Sequence, residues 1–155
     1  MAKEVMERRA SDNVYLHKDF YGALSTGIEY LHTHFGEDAV RDYLRQFTVA
    51  YYAPLIAKLR KEGLPVLKRY CEKLYEVEGG DIDITLTDDE LVLKVHACPA
   101  VKHMREHGYT VARLFRETAK TINEALCTGT PFAAELVEYD EATGRSIQRF
   151  FRRQP

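Results

Sequence analysis

Through the first half of the chain, apolar residues recur every three or four positions, the period of an amphipathic helix. The first stripe runs Phe20, Leu24, Gly27, Ile28, Leu31, His34 and Phe35, and Gly36 follows where a C-terminal cap belongs. A second helix opens at Glu37 and Asp38, acids suited to the positive end of the helix dipole. Its stripe of Val40, Tyr43, Leu44, Phe47, Tyr51, Leu55 and Leu59 stops at Gly63. Tyr51 continues that stripe and Tyr52 does not. Pro54 interrupts it without changing its phase, which predicts either a kink or two abutting helices. Pro65 then opens a third helix with Val66, Leu67, Tyr70, Leu74 and Val77 on its apolar side, closed by Gly79 and Gly80.

At Gly80 the period drops to two. Ile82, Ile84 and Leu86 alternate with polar neighbours, and after Asp88-Asp89 so do Leu91, Leu93 and Val95. That pattern predicts a β-hairpin with one buried face. Cys98-Pro99 returns the chain to helix as far as Gly108. A further helix carries Val111, Leu114, Phe115, Thr118, Ile122, Ala125 and Leu126 and stops at Gly129. A last hairpin pairs about 133–139 with 145–151 around Glu141-Ala142-Thr143-Gly144. The predicted order is three N-terminal helices, a hairpin, two helices and a hairpin. The simplest assembly is an α+β fold, an antiparallel four-stranded sheet covered by helices. The pattern shows no repeat and no dividing linker, so residues 1–155 are expected to form a single domain, with 1–15 a polar lead-in.

Composition narrows the function classes. A net charge of −2 argues against a generally basic nucleic-acid binder. No apolar run reaches the roughly 20 residues that span a bilayer, and the charged N-terminus lacks the apolar core of a secretion signal. Three cysteines, an odd number, suit a reducing compartment, so the expected location is the cytoplasm.

Candidate chemistry concentrates between Val95 and Gly108, which holds three of the six histidines and one of the three cysteines. His96 and Cys98 lie two apart on a strand and should share a face. Pro99 fits a first helical position, placing Cys98 at the N-cap, where unpaired N–H groups and the helix dipole lower a thiol's pKa. His96 or His103 then offers a base to a Cys98 nucleophile. The competing structural reading makes Cys98 a small apolar residue ahead of a helix start. His103 and His107, four apart on one helical face, offer a pair of ligands to a zinc or iron ion. Residues 103–107 also spell the inverted zincin pattern His-x-x-Glu-His, with no recognisable third-ligand motif elsewhere. Of the remaining histidines, His34 lies on an apolar stripe facing the core, and His17 with Asp19 suits a helix cap.

The run Cys98-Pro99-Ala100 with His103 and Gly108, after three helices and a hairpin, resembles the L-2-amino-thiazoline-4-carboxylate hydrolase-like family. The strand pair around Gly144 adds to the likeness, and Ser146 stands near where that family's final hairpin often carries a cysteine. The architecture is also similar to 4-vinyl reductase-like ligand-binding domains. The resemblance implies a bacterial-type hydrolase opening a carbon–nitrogen bond in a small amino-acid-like substrate, with Cys98 as nucleophile or metal ligand. The alternative is a dimeric, non-catalytic domain that holds a small molecule between helices and sheet. A homodimer is expected because Tyr51-Tyr52-Ala53-Pro54-Leu55-Ile56 is apolar all the way round.

Overall fold

A computed structural model describes residues 14–155, with side chains from residue 20 onward. The expected lead-in, residues 1–15, lies almost wholly outside the described residues. The elements run α1 (Val14–Phe35), α2 (Glu37–Tyr51), α3 (Ala53–Glu62), α4 (Pro65–Glu78), β1 (Asp81–Leu86), β2 (Glu90–Ala97), α5 (Pro99–Glu106), α6 (Glu117–Leu126), β3 (Phe132–Tyr139) and β4 (Ser146–Arg152). The fold is α+β, and its four strands form one antiparallel sheet in the order β1-β2-β4-β3. No helix among the described residues is long and apolar enough to cross a membrane.

Pro54 resolves into two abutting helices. It cannot donate a backbone hydrogen bond, so α2 closes at Tyr52, whose N–H reaches the Thr48 carbonyl at 2.9 Å. The break shifts the phase of the stripe. Tyr51 is 64% exposed, whereas Tyr52 turns inward and is half-buried, the reverse of the expectation for this pair. Three further expectations are corrected. His34 is exposed, its ring 4.3 Å from that of Tyr30, because the last turn of α1, from Thr33 to Phe35, is exposed throughout. His17 and Asp19 fall inside α1, whose backbone starts at Val14, and not ahead of it; their side chains lie outside the described residues. Val111 and Ala112 are irregular, residues 113–116 form turns, and α6 starts only at Glu117.

The core divides into two clusters. One joins α1, α2 and α5 through Ile28, Leu44, Val101, Met104 and Phe115. The other joins α3 and α4 to the sheet through Leu59, Leu67, Leu93, Phe132 and Phe150. The inner face of the sheet is set by register: Leu91 stands opposite Phe150, Leu93 opposite Gln148, and Val95 opposite Ser146. On β3, Ala134 and Leu136 continue that face, but the register shifts between Leu136 and Glu138. This bulge leaves Val137 outward and exposed, and it brings Tyr139, not Glu138, opposite Ser146 on the inner face.

The β3–β4 turn is tied to α5. The Asp140 carboxylate accepts from the Ala142 and Thr143 amides, and Arg105 donates to the carbonyls of Ala142 and Glu141. Gly144, at φ 68°, presses directly on α5; a Cβ there would meet the Cys98 Cβ at 2.4 Å and the Val101 Cγ2 at 2.9 Å. Gly144→Ala would combine a left-handed backbone with overpacking and is expected to destabilise the fold by about 2–4 kcal/mol. A lower urea midpoint at unchanged slope would check this; an unaltered midpoint would contradict the contact.

Candidate functional site

Between the two core clusters lies a cavity of about 820 Å³, within the range of small-molecule sites. Members of both clusters wall it, among them Ala100 and Phe115 on one side and Leu67, Leu93 and Phe150 on the other. Protein interiors are otherwise close-packed, with few voids larger than a water molecule. Among the described residues, the exposed side chains Phe20, Tyr51 and Pro54 also line it and so mark its mouth.

The wall is apolar with a short list of polar groups. On the floor, Asn123 Nδ2 donates to Gln148 Oε1 at 2.7 Å, and Gln148 Nε2 donates to Ser146 Oγ at 3.0 Å. On the helical side, the Tyr21 hydroxyl donates to Glu78 Oε1 at 2.7 Å, and Tyr70 donates to the Tyr52 hydroxyl at 3.3 Å. Burial, with the Glu78 carboxylate next, pushes the Tyr21 phenol far above its ordinary range. Burial does the same to Tyr70, Tyr75 and Tyr139. All four therefore remain protonated at neutral pH.

Cys98 stands where the sequence placed it, at the N-cap of α5 with Pro99 behind it, and it lines the cavity. Its thiol behaves otherwise than expected. Burial raises its pKa, and this outweighs the lowering by the N–H groups of Val101 and Ala100 at the helix start. Cys71 and Cys127 are enclosed more completely, and burial pushes each to about 12. Iodoacetamide should therefore label Cys98 first in the native protein, but more slowly at neutral pH than an unhindered thiol. Below its pKa the rate should rise about tenfold per pH unit as thiolate forms. Faster labelling of Cys71 or Cys127, read by mass spectrometry, would contradict this geometry.

The histidines do not gather around Cys98. His96 pairs across the hairpin, its Nε2 2.7 Å from Asp83 Oδ2, and it does not line the cavity. The β1–β2 register shifts opposite His96, between Asp81 and Ile82, so the alternation that would align it with Cys98 is lost. His103 is buried, contrary to a place on the polar side of its helix, and it too is outside the cavity wall. Its ring stacks on that of His107 at 4.0 Å, and His107 Nδ1–H donates to the His103 carbonyl at 2.9 Å. Among the described residues, no group of three or more His, Cys, Asp or Glu side chains is arranged to hold a metal ion.

Several wall residues escaped sequence reasoning. Glu78 is 5% exposed while Val77, expected on the apolar side, is 38% exposed. The signal was present, because Leu67, Cys71, Leu74 and Glu78 continue one helical row at spacings of four, three and four. Tyr75 lies on the same side of α4 as that row. Tyr139 depends on the bulge at Val137 and has no comparable sequence signal. No protein-family model, curated protein or solved structure matches the chain.

Proposed function

We propose that the chain is a binding domain for a small, largely apolar organic molecule held between the helices and the sheet. The carrying observation is the 820 Å³ cavity opened between two otherwise well-buried core clusters. A cavity of this size with an apolar wall offers an apolar ligand the close packing that a folded core otherwise makes with itself. The resemblance to thiazoline-carboxylate hydrolases and 4-vinyl reductase-like domains points to a small-molecule site as well. Hydrolysis of a carbon–nitrogen bond is the second reading, supported by the presence of Cys98 in the wall. It is the weaker of the two, since neither His96 nor His103 reaches the wall and burial keeps the thiol protonated.

Nile red, an uncharged apolar dye, tests the binding reading. The expected result is saturable fluorescence enhancement with one dye per chain, displaced by naphthalene. Absence of saturable binding would contradict the reading.

We further propose that the protein acts as a homodimer in the cytoplasm. For the location, the support is three cysteines that are all free thiols. For the dimer, it is an outward row on α2: Tyr43 stacks on Phe47 at 6.4 Å and Phe47 on Tyr51 at 5.3 Å, with Tyr43 and Tyr51 largely exposed. Burial against a second copy would remove this aromatic surface from water. Light scattering at micromolar concentration should give about 36 kDa, twice the chain mass of 17.9 kDa. A mass near 18 kDa would reject the dimer.

A further inference from the structure

Two polar groups of the cavity wall are left unsatisfied by the fold. The hydroxyls of Tyr75 and Tyr139 form no hydrogen bond with the described residues, unlike those of Tyr21 and Tyr70. Neither oxygen is sealed in protein: among the described residues, the one fully enclosed polar side-chain atom without a partner is His32 Nδ1. Tyr75 and Tyr139 both line the cavity.

The fold also brings the two tyrosines to one end of the cavity. Tyr75 packs over Gly80 beside Pro99, since a Cβ at Gly80 would lie 2.4 Å from Tyr75 Cδ1 and 2.7 Å from Pro99 Cγ. That fixes the ring at the start of α5. Tyr139 arrives from the sheet through the bulge and pairs with Ser146, next to the turn whose Gly144 presses on Cys98. Pro99, beside Tyr75, follows Cys98 directly in the chain, and Gly144, two residues before the Ser146 that faces Tyr139, lies against the Cys98 Cβ. The two groups thus approach Cys98 from the helical and sheet sides.

We infer that this end of the cavity seats the uncharged carbonyl oxygen of a ligand whose remaining body is apolar, with the Tyr75 and Tyr139 hydroxyls as its two donors. The inference rests on the binding function proposed above and specifies its ligand. A carbonyl oxygen has two lone pairs and can satisfy both hydroxyls at once. A phenol is protonated at neutral pH, and therefore donating, and burial widens that margin for both. The head is uncharged because no Lys, Arg or His among the described residues lines the cavity. A carboxylate would enter an apolar space with no cation among the described residues of its wall and with the Glu78 side chain already there, at a heavy desolvation cost.

Four probes of one skeleton test the inference by calorimetric titration: naphthalene, 2-acetylnaphthalene, 2-naphthoate and 2-naphthylmethylammonium. The wild type should bind the ketone about ten- to hundredfold more tightly than naphthalene, the effect of two net hydrogen bonds. In the Tyr75→Phe, Tyr139→Phe double variant that advantage should vanish, while naphthalene affinity stays within about twofold because ring volume is kept. The inference is overturned if ketone and naphthalene bind the wild type equally, or if the advantage survives in the double variant. Tightest binding of the ammonium or the carboxylate also overturns it, leaving the cavity reading intact. If none of the four binds the wild type, the binding function itself fails and this inference with it.

Discussion

Raising the pH above about 10 should unfold the protein steeply, with a midpoint between about pH 11 and 14. The cause is the phenols in and around the cavity. An unfolded chain releases tyrosine protons near pH 10, whereas burial holds Tyr21, Tyr70 and Tyr75 far above that value in the folded state. Above pH 10 the folded state therefore binds more protons than the unfolded one, and stability falls as pH rises. Below about pH 10 this contribution is fully present. Each protected group removes about 1.4 kcal/mol per pH unit, so the three together remove about 4 kcal/mol per unit. Domains hold only about 5–15 kcal/mol in total, which such a slope exhausts within a few units. The loss of the circular dichroism signal should coincide with the rise of the tyrosinate absorbance that Tyr75→Phe removes, which is the share of one buried phenol. Replacing Tyr75 by Phe should make the stability decline shallower by about 1.4 kcal/mol per pH unit. Appearance of that Tyr75 absorbance near pH 10 with an unchanged far-ultraviolet signal would show that the phenol is open to water.

The second large effect concerns the cavity itself. Ala119 is half-buried on α6 and lines the open space, so a larger side chain there has room to occupy. Ala119→Trp places an indole where a ligand would lie. Nile red affinity should fall by more than about tenfold, while stability changes by no more than about 1 kcal/mol, because the new ring fills a void and displaces no packed neighbour. The dye's binding would otherwise be open to a simple alternative, adsorption on the exposed aromatic row of α2. Ala119 is not part of that row, so only binding inside the cavity is sensitive to this substitution. Undiminished affinity in Ala119→Trp would move the dye to the surface.

The element order was legible because periodicity changes cleanly at Gly80 and Cys98-Pro99, and the two hairpins follow from alternation alone. The antiparallel sheet follows from those hairpins, and the docking of β4 on β2 joins them. What the sequence concealed depends on local breaks in period. Pro54 was visible, but its effect on phase was not, and so Tyr51 and Tyr52 exchanged roles. The bulge at Val137 adds one residue to β3, and no alternation rule announces that Tyr139 will replace Glu138 on the inner face. Cys98 was located correctly at a helix start, yet its electrostatics depended on depth. The helix N–H groups act on the thiol as expected, but burial wins. His96 and His103 were drawn towards Cys98 by their nearness in sequence, whereas a register shift opposite His96 and the packing of α5 separate both from the cavity wall. The cavity itself left only an indirect mark, the surplus of tyrosines on α2 and α4, which reads equally well as core packing.

The central claim is that an apolar molecule occupies the space between the two core clusters. Isotope-filtered nuclear Overhauser spectroscopy of unlabelled naphthalene with carbon-13-labelled protein tests it most directly. The expected result is a set of cross-peaks from naphthalene to the methyl groups of Leu55, Leu74 and Ile122, which face the cavity from α3, α4 and α6. Cross-peaks confined to the exposed methyls of Val49 and Val137, or none at all, would contradict it.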